Sequence, residues 1–347
     1  MSLPVPPRWV RRLVLAPLAV LGVALLLTTV PVLLVVAVVA SAFLPGTWRG
    51  LRLLAFALVY ALIEFVGLVV LFAAWLGSGF GTQLHRHRWV SFHYAVLGVS
   101  IDVLVRAAMR LFHLRIVLET DVQGHHAGQP ERLPAIVASR HAGPGDSFLL
   151  VHGLLRRWAR RPRIVLKNTL QLDPFIDVLL NRLPTRFIDP SAGAGDAVVA
   201  AIGDLAESMG RDDALVIFPE GGNFTPRRRV KAIDRLRTSG RDALAEQAEQ
   251  LRYTLPPRPS GIAAAIRARP EARVILVAHT GLDHMDTLRD VWRGLPQDKT
   301  LAVRWVSVAP DDVAPGSDTD AIGQALMSGW LDMDAWIARH RDDPTGT

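Results

Sequence analysis

A histidine and an aspartate with four residues between them, in Ser139-Arg140-His141-Ala142-Gly143-Pro144-Gly145-Asp146, are the pair in this chain best suited to moving a proton. The apolar run Leu133 to Ala138 leads in, and a helical pattern from Phe148 to Trp158 leads out. His141 therefore falls at a strand end and Asp146 in the first turn of a helix, where the helix dipole favours a carboxylate. A neutral imidazole oriented by a carboxylate takes a proton from an alcohol. A second strand-to-loop edge, Phe218-Pro219-Glu220-Gly221, carries another carboxylate, with Gly221 and Gly222 letting a substrate approach the backbone. Taken alone, the spacing of His141 and Asp146 equally describes a surface histidine beside a helix-capping aspartate. The order of the surrounding motifs separates the two.

That order resembles the glycerophospholipid acyltransferase family, the lysophosphatidate acyltransferases and their relatives. His141 and Asp146 match the family's His-x4-Asp motif. Lys167, in Val165-Leu166-Lys167-Asn168 with Pro174-Phe175 following, resembles the start of its second block, and Phe187-Ile188-Asp189 the end. Phe218-Pro219-Glu220-Gly221 is similar to its Phe-Pro-Glu-Gly motif, and Val274-Ile275-Leu276-Val277-Ala278-His279 to its fourth, strand-borne block. The matches run in sequence from about Arg115 to Thr280. Two positions depart from the pattern. Gly222-Asn223 stands where the family continues Thr-Arg, and Pro190 where it usually has Arg. Arg227, Arg228 and Arg229, just downstream, are candidates for the missing charge.

The resemblance implies an O-acyltransferase that takes a fatty acyl group from a thioester, acyl-CoA or acyl-carrier protein, with no bound cofactor and no metal. The acceptor it implies is a lysophospholipid, first of all 1-acyl-sn-glycerol-3-phosphate, giving phosphatidate. His141 is then the general base, oriented by Asp146. Glu220, Gly221, Gly222, Asn223, Lys167, Arg227 and Arg228 are the expected acceptor-binding residues. Three alternatives stay open: another lysophospholipid or lipid alcohol as acceptor, a thioesterase or lipid esterase, and a lipid-binding protein without catalysis. No Gly-x-Ser-x-Gly elbow appears, which disfavours a serine hydrolase of that type.

The elements that must position these groups alternate. Candidate strands at 115–122, 135–139, 163–166, 186–188, 214–218, 273–278 and 302–308 are interleaved with helical patterns at 146–160, 174–183, 196–209 and 261–268. This predicts an α/β layered domain with a largely parallel central sheet flanked by helices, over 115–341, with a C-terminal helix at 318–341 and a tail at 342–347. Ligands of such sheets bind at strand ends. The charged stretch 227–252 has little apolar periodicity and is expected as a helix over the site or a solvated insertion. Arg156, Arg157, Arg160, Arg161 and Arg163 form the densest basic cluster, suited to anionic headgroups, to coenzyme A phosphates or to a helix terminus. His279, Asp283 and His284 lack a strong metal-ligand spacing, and 191–196 reads as a helix lead-in capped by Asp196.

Residues 1–89 predict an N-terminal hydrophobic helical hairpin. The run 13–44 has no charge and 53–76 has only Glu64, and each exceeds the ~20 apolar residues of a membrane span. Glu64 is expected to face a partner helix, protonated or hydrogen-bonded. Arg8, Arg11 and Arg12 before the hairpin and Arg86, Arg88, Arg106 and Arg110 after it outnumber Arg49 and Arg52 in its turn, which places both ends and the catalytic domain on the cytoplasmic side of the membrane. A hairpin lying within one leaflet is the alternative. Residues 90–114 are expected as an amphipathic connector docking the domain against lipid. The chain has no cysteine, hence no disulfide, thiol nucleophile or thiolate metal site. Its formal charge of +7 suits an anionic membrane. Nucleic acid is not an expected partner, since the chain shows no motif for it.

Overall fold

The computed structural model describes residues 5–43, 48–120, 133–143, 145–188, 195–281, 283, 295, 298–308, 313 and 316–341. Two long apolar helices come first, α1 (Arg8–Phe43) and α2 (Arg49–Gly77), then α3 (His87–Phe112) and β1 (Arg115–Thr120). Next are β2 (Ala135–Ser139) and α4 (Asp146–His152), the latter extended by a wide turn at Gly153–Arg157. β3 (Arg161–Lys167), α5 (Pro174–Leu180), β4 (Thr185–Ile188), α6 (Gly195–Glu207) and β5 (Asp213–Ile217) follow. The remainder is α7 (Pro226–Thr238), α8 (Asp242–Gln250), α9 (Pro259–Ala268), β6 (Arg273–Thr280), β7 (Thr300–Ser307) and α10 (Thr319–His340).

The strands form one seven-stranded sheet in the order β1-β7-β6-β2-β5-β3-β4. Every pairing is parallel except β6 with β7. Alternate residues of the central strands enter two separate cores. Ile136, Ala138, Leu215, Ile217, Val274 and Leu276 pack under α6, α8, α9 and α10. Val137, Val216, Ile275 and Val277 face α2, α3, α4 and α5. A strand covered on both faces reads as a continuous apolar run, and this is why 135–139 was legible in the sequence. The α/β class with a largely parallel sheet and flanking helices is the observed one.

The stretch 227–252 is not a solvated insertion. It forms α7 and α8, burying Ile233, Leu244, Ala245 and Ala248. The residues expected as an amphipathic connector form one continuous helix, α3, which packs one face on the hairpin and the domain and leaves Phe92, Val99 and Val103 exposed on the other. It buries Tyr94, Leu97, Ile101, Val105 and Phe112.

α2 lies antiparallel along the whole of α3. The Phe56 and Phe112 rings meet at 4.9 Å near one end, and Gly77 faces Trp89 near the other. Midway, α5 presses so close that a Cβ on Gly67 would lie 2.3 Å from the Phe175 ring. Glu64 has a partner there: its Oε1 accepts the Phe175 backbone N–H at 3.0 Å, filling an orphan donor at the start of α5.

Both ends of the hairpin are tied to the domain. At the N-terminal end, Arg11 donates from Nε and Nη2 to Asp177 Oδ1 at 3.1 and 2.9 Å, and Arg12 Nε to Oδ2 at 3.3 Å. At the turn, Arg49 Nε donates to the Leu295 carbonyl at 3.0 Å and Arg52 Nη1 to that of Leu111 at 2.6 Å. Asp177 is fully buried, and removing one partner of a buried ion pair costs about 3–5 kcal/mol. Asp177→Ala is therefore expected to lower the melting temperature of the detergent-solubilised protein by several degrees, and an unchanged melting curve contradicts the tether.

Candidate active site

The dyad forms where β2 gives way to α4. The His141 and Asp146 side chains meet at 3.3 Å, Nδ1 to Oδ2. The same Oδ2 accepts the backbone N–H groups of Ala142 at 2.5 Å and Gly143 at 2.7 Å. Asp146 is 3% exposed and so sees little water. Burial alone raises the pKa of its carboxyl, but His279, the hydrogen bond from His141 and the Gly143 amide outweigh burial and hold it below the usual carboxylate value. An ionised acceptor at Nδ1 fixes the tautomer that leaves His141 Nε2 as a base. The Gly143 amide is spent on Asp146, so it is not an oxyanion donor. Pro144 lies outside the described residues.

The Phe-Pro-Glu-Gly loop folds over this histidine. The Phe218 ring lies 4.8 Å from the imidazole, and the Phe224 N–H donates to the His141 carbonyl at 3.2 Å. Glu220 turns inward. It is 2% exposed, and its Oε2 accepts the Leu255 N–H at 3.3 Å. Burial pushes its carboxyl up to about 8. Arg140, the His141 amide and the Trp330 indole act in the opposite direction, though neither of the last two closes a hydrogen bond of standard geometry on it. Glu220 thus braces the loop from beneath, and the expectation that it meets the acceptor's hydroxyls finds no exposed carboxylate.

Above the loop the surface is cationic. Gly221 has φ +70°, and a Cβ there would stand 3.0 Å from Cζ of Arg258. At Gly222 a Cβ would stand 2.9 Å from Nη1 of Arg228. Two guanidinium groups from different elements thus lie on the two glycines. Arg228 donates to the Asn223 carbonyl at 3.0 Å, and the Arg258 N–H to that of Pro219 at 3.0 Å. Partial burial and neighbouring Arg235 lower the Arg258 pKa. Arg227 is exposed, and Arg229 is committed to the Leu251 and Glu249 carbonyls at 2.5 Å each. Lys167 ends β3, exposed to solvent. Sequence reasoning gives Arg258 no role. Paired glycines opposite a lone arginine in a proline-rich turn were the available signal.

His279, expected as an ordinary strand-end histidine, stands beside the dyad. Its Nε2 is 3.8 Å from Asp146 Oδ2 and 3.3 Å from the Arg140 carbonyl. Burial keeps its pKa low against the pull of Asp146. Asp283 belongs to a buried pair with Arg140 at 2.7 Å. Burial would raise its carboxyl, but that arginine and the Thr280 hydroxyl bring it to about 2. His284, Asp189, Pro190 and 191–194 lie outside the described residues.

The basic cluster divides. Arg163 clamps Asp213 at 2.7 Å, Arg160 holds the Leu133 and Arg211 carbonyls at 2.6 Å, and Arg161 reaches Ser91 at 3.1 Å. Arg156, paired with Asp102 at 3.3 Å, and Arg157 border a cavity instead. That cavity of about 320 Å³ reaches from Asp146 and His279 past Leu149, Leu150, Ile116 and Met109 to Trp158 and Trp305. Asp146 and His279 thus border a chamber whose wall is mostly apolar.

Residues 120–278 match the family model described as Acyltransferase. Among solved structures, the chain is similar to the 1-acyl-sn-glycerophosphate (LPA) acyltransferase of Thermotoga maritima. That likeness has 17% identity and a TM-score of 0.49, over 83% of this chain and 98% of that one. Comparison with curated proteins finds no match. The segment that matches the acyltransferase family model contains both His141 and the Phe218–Gly221 loop, so the candidate site lies within it.

Proposed function

We propose that this protein is a membrane-associated O-acyltransferase that esterifies the free hydroxyl of a lysophospholipid from a fatty acyl thioester, with 1-acyl-sn-glycerol-3-phosphate as its acceptor and phosphatidate as product. The observation that carries the reading is the 3.3 Å His141–Asp146 contact at the end of an apolar cavity. His141 Nε2 takes the proton of the acceptor hydroxyl as its oxygen attacks the thioester carbonyl. Collapse of the tetrahedral intermediate breaks the C–S bond, and His141 returns the proton to the leaving thiolate. The thioester is already activated, so no acyl-enzyme is needed. Arg228 and Arg258 supply charge for a phosphate on the acceptor. Thiol release from acyl-CoA that depends on added lysophosphatidate supports this reading. Equal release without acceptor overturns it in favour of hydrolysis.

The hairpin serves as the membrane attachment. α1 and α2 are long and apolar enough to cross a bilayer, with only 11% and 22% of their most apolar windows buried. A crossing α2 would, however, carry α3 with its Arg88, Asp102, Arg106 and Arg110 into the hydrocarbon, at high cost. Both hairpin ends also touch the domain. The hairpin therefore lies within one leaflet on the cytoplasmic face. The absence of cysteine makes a clean test. Trp9→Cys and Trp48→Cys, both exposed, are expected to react with an impermeant maleimide from the same side of sealed vesicles. Labelling of Trp48→Cys only from the opposite side contradicts the one-leaflet arrangement.

A further inference from the structure

Asp146 has a second imidazole beside it, and strand register puts it there. The parallel β2–β6 ladder ends on the pair Ser139 and Val277. Two residues farther along the two chains stand His141 and His279, and residues two apart on a strand share a face. Val137 and Val277 both belong to the core that α4 covers, so both histidines leave the sheet on the side where α4 begins. Asp146 Oδ2 lies 3.3 Å from His141 Nδ1 and 3.8 Å from His279 Nε2. Just past the end of the ladder, the Arg140 carbonyl meets His279 Nε2 at 3.3 Å, and Arg140 Nη1 donates in return to the His279 carbonyl at 2.7 Å. Arg140 is itself buried, with Nη2 donating to Asp283 Oδ1 at 2.7 Å and to the Tyr253 carbonyl at 3.1 Å. The second imidazole is therefore clamped in place from two other segments of the chain.

We propose that His279 is a positioning residue for acyl transfer: its Nε2–H, steadied by the Arg140 carbonyl, is aimed at Asp146 Oδ2 and keeps that carboxylate turned toward His141. The inference rests on the acyl-transfer reading above. Both oxygens facing Nε2 are acceptors, so Nε2 carries the proton. Burial keeps this imidazole's pKa low, with Arg140 acting the same way and Asp146 and Asp283 against it. The ring is therefore neutral and presents an N–H, where an imidazolium would draw the carboxylate's charge away from His141. Asp146 needs such a partner because one oxygen holds it. Oδ2 takes the N–H groups of Ala142, Gly143 and His141, whereas Oδ1 is buried with no hydrogen-bond partner among the described residues. The three N–H groups on Oδ2 belong to the same turn as the aspartate and move with it. His279 comes from another strand and ties the carboxylate to the sheet. At 3.8 Å the contact is longer than a hydrogen bond, and contacts of this kind tighten when substrate is bound.

The test is steady-state transfer from one long-chain acyl-CoA to lysophosphatidate. Wild type is compared with His279→Leu, His279→Asn and His279→Gln, each checked for a cooperative melting transition. Leucine fills the space without a donor, asparagine carries a donor that falls short, and glutamine brings an amide N–H to about the place of Nε2. In the leucine and asparagine variants kcat is expected to fall about 10- to 100-fold, with both KM values within about two-fold of wild type. Glutamine is expected to restore kcat to within about three-fold of wild type. In an Asp146→Ala background the same leucine and asparagine changes are expected to cost less than about two-fold, because no carboxylate remains to be held. Unchanged kcat in a folded leucine or asparagine variant overturns the positioning role while leaving acyl transfer intact. So does a loss that glutamine does not restore, or one that persists undiminished without Asp146. A wild-type protein that transfers no acyl group overturns the acyl-transfer reading, and the role of His279 with it.

Discussion

Asp146→Ala is expected to lower kcat about 10³- to 10⁴-fold, with the KM values for donor and acceptor changing little. Asp146 Oδ2 faces three N–H groups: those of Ala142 and Gly143, and the ring of His141. Alanine removes the tautomer-fixing acceptor and the charge that stabilises the imidazolium, and leaves two buried amides unpaired. Asp146→Asn separates these losses. The backbone amides pin the asparagine oxygen where Oδ2 stands, so the tautomer survives and only the charge goes. A smaller fall, about 10²-fold, is expected for asparagine. Steady-state kinetics on both variants check this, and rates within ten-fold of wild type for both contradict the dyad.

The second large effect is on acceptor recognition. Arg258→Ala is expected to raise the KM for lysophosphatidate about 10- to 100-fold, and Arg228→Ala somewhat less, because Arg228 already donates to the Asn223 carbonyl. A hydrogen bond to a charged group is worth about 1.5–3 kcal/mol, and two guanidinium groups present parallel donors that suit phosphate geometry. Neither change is expected to alter the KM for acyl-CoA or for a neutral monoacylglycerol acceptor. An equal loss with the neutral acceptor, or no loss at all, contradicts the phosphate assignment. Arg258→Lys keeps the charge and loses the fork, so it is expected to recover only part of the affinity.

The sheet was readable because its strands are covered on both faces and flanked by glycine, proline and charged turns. Ala135–Ser139 was placed at its observed bounds, and the other six strands within a few residues. His141, Asp146 and the Phe218–Gly221 loop are legible through the order of motifs that resembles the acyltransferase family, and both follow buried strands in the structure. What sequence periodicity does not carry is the partner of a face. The stretch 227–252 hides its few apolar residues among arginines, and only packing against α10 and the sheet side of the core makes two helices of it. α3 meets protein on one face only, and its other face leaves Phe92, Val99 and Val103 exposed among Arg88, Arg106 and Arg110, the amphipathic pattern its sequence shows. Arg258 was missed because it is distant in sequence from the glycines it covers. The roles of Arg11 and Arg12 were hidden likewise: both answer to Asp177, more than 160 positions away. Long-range pairing of charges leaves no local signature.

The most direct test of the central claim is acyl transfer by purified, detergent-solubilised protein beside His141→Ala. One labelled long-chain acyl-CoA is supplied with lysophosphatidate, with another lysophospholipid, and with no acceptor. The account predicts labelled phosphatidate from the first mixture, reduced at least about 10³-fold in His141→Ala, and little free acid in the last. Free fatty acid released equally with and without acceptor, or phosphatidate formed equally by both proteins, contradicts it.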